Sequence, residues 1–254
     1  MEVIKSLNNE TIKYASSLKE KKNRQKEGAF LVEGNNLIKD MSGQHIKELF
    51  IQESLASKNL EIISLKTKEN EQIRLHYVAD NVFTKLSETV TSAGLVAICK
   101  NPSRKPIGEG HVVVFDRIRD PGNLGTLLRT TLAMGVNDAV LIDCVDPFNA
   151  KVIRSSLGAV LRVNIIQIND LSEINEEILD KKIVALDMFG KNIYEFHEKS
   201  PLVLVVGNEA SGVSKKILDS AAYVLSIPMP GCEMESLNAA ISFSIALSYI
   251  VSAK

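Results

Sequence analysis

LVLVVGNEASGVS, residues 202–214, is the stretch that decides the fold. Its first part is an unbroken apolar run, and a short strand apolar on both faces belongs to a mostly parallel sheet covered by helices. The run stops at Gly207-Asn208-Glu209, a second glycine follows at Gly212, and a helix is predicted from about Ser214. Ligands of parallel α/β sheets bind beyond the carboxyl ends of the strands, so this turn lies at the ligand edge. Gly207 lets the backbone approach a ligand closely, and Glu209 brings a carboxylate there. The turn is not GxGxxG, and no Gly-Lys-Ser/Thr follows, which disfavours a dinucleotide site and a phosphate loop. Alone, a glycine-rich turn between strand and helix is more often only a turn.

Runs of the same kind lie on both sides: VVVF at 112–115, AVLI at 139–142, VNIIQI at 163–168, KIVALDM at 182–188 and YVLSI at 223–227. Together they predict an open α/β sheet. Two further strand ends carry polar residues. After 112–115 comes DRIRDPGNLGTLLRTTLAMGV, where Asn123 is placed to cap a helix turning Leu124, Leu127, Leu128 and Leu132 inward. Arg129 stands about 240° round such a helix from Asn123, so the two share a face only if Asn123 precedes the helix. Their plainer readings are an N-cap and a surface charge. After 223–227 comes Pro228-Met229-Pro230-Gly231, which cannot continue a central strand, and Ser236 then opens a long helix with few charges.

Residues 101–110, NPSRKPIGEG, have two prolines, two glycines and no apolar periodicity, and read as a linker between domains at 1–100 and 111–254. In the first domain, strands are expected at Phe30–Glu33, Ile46–Ile51, Glu61–Leu65, Leu75–Val78 and Leu95–Cys99, with helices around Asn35–Met41 and Val82–Leu86, making a small α/β sandwich. Near its start, Lys19, Lys21, Lys22, Arg24 and Lys26 crowd together as a basic arm suited to RNA phosphates, or as a solvated helix face.

Composition is that of a globular chain: 254 residues, 45% hydrophobic and 24% charged, with 30 Lys+Arg against 31 Asp+Glu for a net charge of -1. Any nucleic-acid surface must therefore come from local clustering. Cys99, Cys144 and Cys232 are widely spaced, and His45, His76, His111 and His197 show no ligand spacing, so neither a disulfide framework nor a metal site is expected. The polar start speaks against secretion, and Asn238 with Ser242, Ser244, Ser248 and Ser252 makes 236–254 a buried helix rather than a membrane span. A cytoplasmic location follows.

The order N-LG-LLRT-A-G, VVGNEASGVS, then IPMPG followed by ESLNAA resembles the three motifs of the SpoU branch of SPOUT RNA methyltransferases, the TrmH-like ribose 2'-O-methylases. FLVEGNNLIKDM and LSETVTSAGLVAI resemble the L30e-like substrate-binding domain that often precedes them. The resemblance implies a SPOUT α/β domain with a deep C-terminal trefoil knot, a homodimer with the active site assembled near the interface from both subunits, and S-adenosylmethionine as cofactor. Carried over, Asn123, Arg129, Glu209, Ser236 and Asn238 are catalytic positions, while Gly207, Ile227 and Leu237 bind the cofactor through backbone groups. Structured RNA, ribosomal RNA first, is the implied substrate; tRNA and a non-catalytic knotted RNA-binding role are the alternatives, with an NAD-type enzyme opposed by the missing fingerprint. The family pattern makes Arg129 the base, but a guanidinium gives up its proton only at great cost, so an electrostatic role fits it better. PGCEME is one residue longer than the common form of its loop, which loosens the register of Leu237.

Overall fold

The computed structural model describes residues 2–89, 91–173, 178, 180–230 and 236–252. Two compact units form: Met1–Ser103 with Phe148–Arg154, and Arg104–Pro147 with Ser155–Lys254. The segment Phe148–Arg154, left with the second half by the sequence reading, belongs to the first unit, where Phe148 stacks on Phe30 at 4.7 Å and Arg154 pairs with Glu88.

The first unit is built on a five-stranded sheet of β1 (Val3–Ile4), β2 (Ala29–Glu33), β3 (Ile46–Gln52), β4 (Arg74–Val78) and β5 (Leu95–Lys100), in the order β1-β4-β3-β5-β2. β1, β4 and β3 are parallel, and β5 runs against both β3 and β2. Strands and helices fall near their expected places with one exception. Glu61–Leu65 is not a strand but part of the helix Leu60–Glu69. Ile62, Ile63 and Lys66 are its buried residues, one turn apart, and an apolar run this short does not reveal its period. The Lys66 side chain is 1% exposed, and its ammonium donates to the Met41 carbonyl and pairs with Glu69, which makes its burial tolerable. Cys99 lies buried in β5, and burial pushes its thiol far above the usual range.

The second unit holds a six-stranded sheet in which every neighbouring pair is parallel: β6 (Val112–Asp116), β7 (Asp138–Ile142), β8 (Asn164–Ile168), β9 (Lys182–Asn192), β10 (Leu202–Val206) and β11 (Tyr223–Ser226), in the order β11-β9-β10-β6-β7-β8. All residues of β6, β7 and β10 are buried, and each valine or leucine so buried contributes about 1.5–3 kcal/mol. The chain leaves β6 toward β7 and leaves β10 toward β11, in opposite directions along the sheet, so β6 and β10 flank the switch point where such sheets open a crevice.

Helix Ala239–Ser252 buries Ala239, Ala240, Phe243, Ala246, Leu247 and Ile250 as one stripe, and Phe243 meets Phe115 edge to face at 5.3 Å. Thr130 and Ser244 share a hydroxyl hydrogen bond between this helix and helix Pro121–Ala133. With 14 residues, it spans about 21 Å, too short for a bilayer core, and no described helix is long and apolar enough to cross a membrane. The loop register between Gly231 and Ser236, and with it the threading expected of the knot, lies outside the described residues.

Candidate active site

The site begins where β6 ends. Asp116 is 1% exposed, and the next residue, Arg117, turns the chain out of the sheet with φ 57°. A left-handed conformation costs a non-glycine residue about 1 kcal/mol or more, and the contacts of Arg117 offset it. Its guanidinium donates to both Asp116 carboxylate oxygens, at 3.1 and 3.3 Å, and to the Gly212 carbonyl at 3.2 Å. Asp116 also accepts from the Ser214 amide at 2.6 Å, while Asn208 Nδ2 donates to the Arg117 carbonyl at 2.9 Å. The pair Asp116-Arg117 thus clamps the 207–214 loop against the end of β6. Sequence reading missed it, although a polar pair directly after an apolar strand was signal enough.

Asn208 shapes the loop from inside. Its Oδ1 accepts from the amides of Ala210 and Ser211, and its backbone exchanges hydrogen bonds with Gly212 at 3.1 and 2.9 Å. Gly207 is required for space, since a Cβ there would lie 2.1 Å from the Gly212 carbonyl carbon and 2.2 Å from the Val213 nitrogen. The loop therefore holds one shape, with Glu209 exposed on it.

Three of the expected catalytic residues meet. Asn123 Nδ2 donates to Glu209 Oε1 at 2.6 Å, and Asn123 Oδ1 accepts from Asn238 Nδ2 at 3.1 Å. Asn123 does not cap its helix: Asp120 is the N-cap, accepting from the Asn123 amide at 2.8 Å ahead of Pro121, which frees the Asn123 side chain to bridge the other two. The last helix starts at Ala239 rather than Ser236, with Asn238 Oδ1 accepting from the amides of Ala240 and Ile241. Arg129 is not brought to this chain. It is exposed, makes no ion pair or hydrogen bond through its guanidinium to any described residue, and stands off the Asn123 face of the same helix.

A cleft of about 500 Å³ opens beside the chain. Gly207, Ile227 and Leu237, the three expected cofactor positions, all line it, as do Glu209 and Ser236. The size is that of a small-molecule site. Leu186, Leu225 and Met229 offer apolar surface for an adenine, and the carboxylates of Asp187 and Glu209 suit a ligand carrying a sulfonium and an ammonium, so the donor set fits S-adenosylmethionine. Asp187 and Phe189 are lining residues that sequence reading did not find; Phe189 is 89% exposed, at odds with the apolar run that precedes it.

The basic arm is only partly free. Arg24 must be withdrawn as a phosphate ligand: it is 6% exposed, and its guanidinium donates to the carbonyls of Leu18 and Lys19, because it joins helix Lys21–Glu27 to the turn before it. Lys19 is half-buried and donates to the Ser87 carbonyl at 3.0 Å. Lys21, Lys22 and Lys26 are exposed, Lys26 lying 3.7 Å from Glu27. Among the described residues, no group of His, Cys, Asp and Glu could hold a metal ion.

Comparison with known proteins gives two family matches, to the SpoU rRNA Methylase family over residues 110–248 and to an MRM3-like substrate binding domain over residues 9–97. The chain is 29% identical to the 23S rRNA (guanosine(2553)-2'-O)-methyltransferase RlmP of Bacillus subtilis, over 98% of this chain and 99% of that protein. It is 28% identical to the 23S rRNA (guanosine-2'-O-)-methyltransferase RlmB of Neisseria meningitidis, over 80% and 86%. Among solved structures, the AdoMet-bound rRNA methyltransferase of Sinorhizobium meliloti superposes with a TM-score of 0.81 at 26% identity, covering 98% of this chain and 97% of that one.

Proposed function

Because the chain belongs to the SpoU rRNA methylase family, we propose that it transfers a methyl group from S-adenosylmethionine to a ribose 2'-oxygen of ribosomal RNA. The observation that carries the reading is the hydrogen-bonded chain Asn238–Asn123–Glu209 at the cleft lined by Gly207, Ile227 and Leu237. Ribosomal RNA is favoured over tRNA because relatives named for 23S rRNA match across both units. An rRNA substrate supports a cytoplasmic location. The side-chain chain argues against a non-catalytic module, which needs no polar relay beside its cleft.

The cofactor supplies a methyl group made electrophilic by its sulfonium. Backbone groups at Gly207, Ile227 and Leu237 hold it, and Ser236 shapes the wall nearby. Glu209 fixes the rotamer of Asn123, whose amide presents a donor and an acceptor to the ribose; a carboxylate at the end of such a chain strengthens each bond in it. With the cofactor bound, the 2'-oxygen would take the methyl carbon while the methyl–sulfur bond breaks to leave a neutral thioether, and the hydroxyl proton would pass to water or a phosphate oxygen. Arg129 holds that phosphate and stabilises the developing alkoxide.

Arg129 serves the site of a partner copy in a homodimer. An exposed, unpaired guanidinium off the face of its own Asn123 supports this, and so does the helix Ala239–Ser252, where Ile241 stays 51% exposed opposite the buried stripe. Arg129→Ala is expected to abolish tritium transfer to 23S rRNA while calorimetry finds cofactor affinity within several-fold of the parent. Mixing and refolding Arg129→Ala with Glu209→Ala should restore activity to about a quarter of wild type, since one site of each mixed dimer is then intact. No recovery would place Arg129 in its own chain's site, and near-normal turnover of Arg129→Ala would remove it from the mechanism.

A further inference from the structure

A second cleft, of about 550 Å³, lies within the first unit between helix Glu10–Ser17 and the strands β3 and β4. Its walls are polar. β4 contributes Arg74 and His76, two residues apart and so on one side of the strand, and β3 contributes Ile46, Lys47 and Glu48. Ile46, Lys47 and Glu48 meet the cleft where the ladder between β3 and β5 shifts register, between Ile46 and Glu48. Lys100, at the end of β5, and Tyr14, Asn70 and Gln72 complete the surroundings.

The charges are unevenly spent. Glu48, its side chain 5% exposed, accepts from Arg74 and lies 2.7 Å from His76 Nε2, while the His76 ring stacks on Phe50 at 4.9 Å. Glu10 is paired with Lys13 at 2.9 Å. Lys47 and Lys100 make no ion pair or hydrogen bond through their ammonium groups to any described residue. Asn70 is spent, its Nδ2 donating to the Gly43 and Ile46 carbonyls. Two free cations, the Gln72 amide and a tyrosine round an open polar cleft match one chemistry: an unstacked nucleotide, its phosphate met by lysines and its base held against a ring and hydrogen-bonded on its edge.

We propose that this cleft seats one nucleotide of the RNA substrate, with its phosphate at Lys47 and Lys100 and its base against Tyr14. The buried Glu48 acts as a positioning residue that fixes Arg74 and His76 in the wall. The proposal rests on RNA being the substrate, and it adds a place where a nucleotide outside the reacting one is read.

The test uses the full chain and a 23S rRNA fragment that the wild type methylates. Lys47→Gln with Lys100→Gln should weaken RNA binding and lower the slope of log K against log salt by about 0.7, the value for one single-strand phosphate. Lys47→Arg with Lys100→Arg should restore the slope, and Lys58→Gln, a surface control, should leave it alone. RNA substituted with 4-thiouridine should crosslink on irradiation to peptides containing Tyr14 or 70–76. An unchanged slope without those adducts, in a protein that still methylates RNA, overturns the cleft alone. Tight binding of free uridine 5'-monophosphate, lost in the glutamine variant, overturns it in favour of a free-nucleotide site. A wild type that neither binds nor methylates rRNA overturns the functional reading as well.

Discussion

In the six-stranded sheet every strand lies beside others running the same way, and the polar groups gather where β6, β10 and β11 end; in the five-stranded sheet they lie along the strands themselves, at Lys47, Glu48, Arg74 and His76. The contrast follows from what covers each sheet. β6, β7 and β10 are buried throughout, so only the carboxyl edge is left for ligands. β4 is mostly half-buried, so a polar face survives there, at the cost of one buried carboxylate that must be paired. A strand-end site depends on loops held in one shape. A strand-face site depends on register and on charge compensation.

That contrast predicts different weak points. The largest effect is expected from Gly207→Ala, because the new methyl would collide with backbone at Gly212 and Val213 rather than with a movable side chain. Displacing this loop by an ångström should cost about a hundredfold in methyl-transfer rate, and calorimetry should find cofactor affinity lowered with it. Affinity close to wild type would show that the loop is not what holds the ligand. Asp116→Ala comes next, since it strands the Ser214 amide and the Arg117 guanidinium together. A loss of about 2–4 kcal/mol in urea titration is expected, with faster hydrogen exchange at Asn208–Ser214 and unchanged protection in β3 and β4.

The matching break in the other sheet is Glu48→Gln, expected to cost about 1–3 kcal/mol with exchange rising in β3 and β4 instead. It carries a pH signature. Burial pushes the Glu48 carboxyl up, but hydrogen bonds and charge from His76 and Arg74 outweigh it and hold the group below the usual carboxylate range. A lowered folded value means that the ionised form stabilises the fold above the unfolded pKa, about 4.3, and that this contribution is lost as pH falls through the folded value. The stability gap between wild type and variant should therefore be full at neutral pH and shrink in acid; a gap that widens in acid would contradict the pairing. The smallest effect is expected from changing Lys21, Lys22 and Lys26 to Ser: Tm unchanged, and the salt slope of RNA binding lower by about 2. An unchanged slope would leave these lysines as a solvated helix face.

The parallel sheet was readable because each of its strands is an apolar run bounded by turn residues, and the rule that ligands lie beyond strand ends pointed at once to Gly207, Glu209 and Asn123. What could not be read depended on contacts that the apolar pattern does not announce. Asn123 looked like a cap although Asp120-Pro121 before it is the better start signal; what frees its side chain for another task, Glu209 and Asn238, lies far along the chain. Arg24 looked like a phosphate ligand because its carbonyl partners are set by how the chain turns before its helix. Residues 61–65 looked like a strand because Lys66, a buried member of the helical stripe, is charged and breaks the apolar period. The cleft at Lys47 was invisible for a sharper reason: a bulge exists only in the pairing of two strands, and no single stretch encodes it.

Two thiols, Cys99 buried and Cys144 half-buried, supply a clock for each unit. Cys99 in β5 and Cys144, just beyond β7, are both held far from the thiolate form; burial pushes the Cys144 thiol up to about 12, and its Sγ donates to the Phe115 carbonyl. Alkylating reagents attack the thiolate, so neither side chain should react while its strand is in place. Iodoacetamide capture at Cys99 then times the transient opening of the mixed sheet, and capture at Cys144 times that of the parallel one. Peptide mass spectrometry of the alkylated chain can thus follow the breathing of both sheets at once, without any substitution.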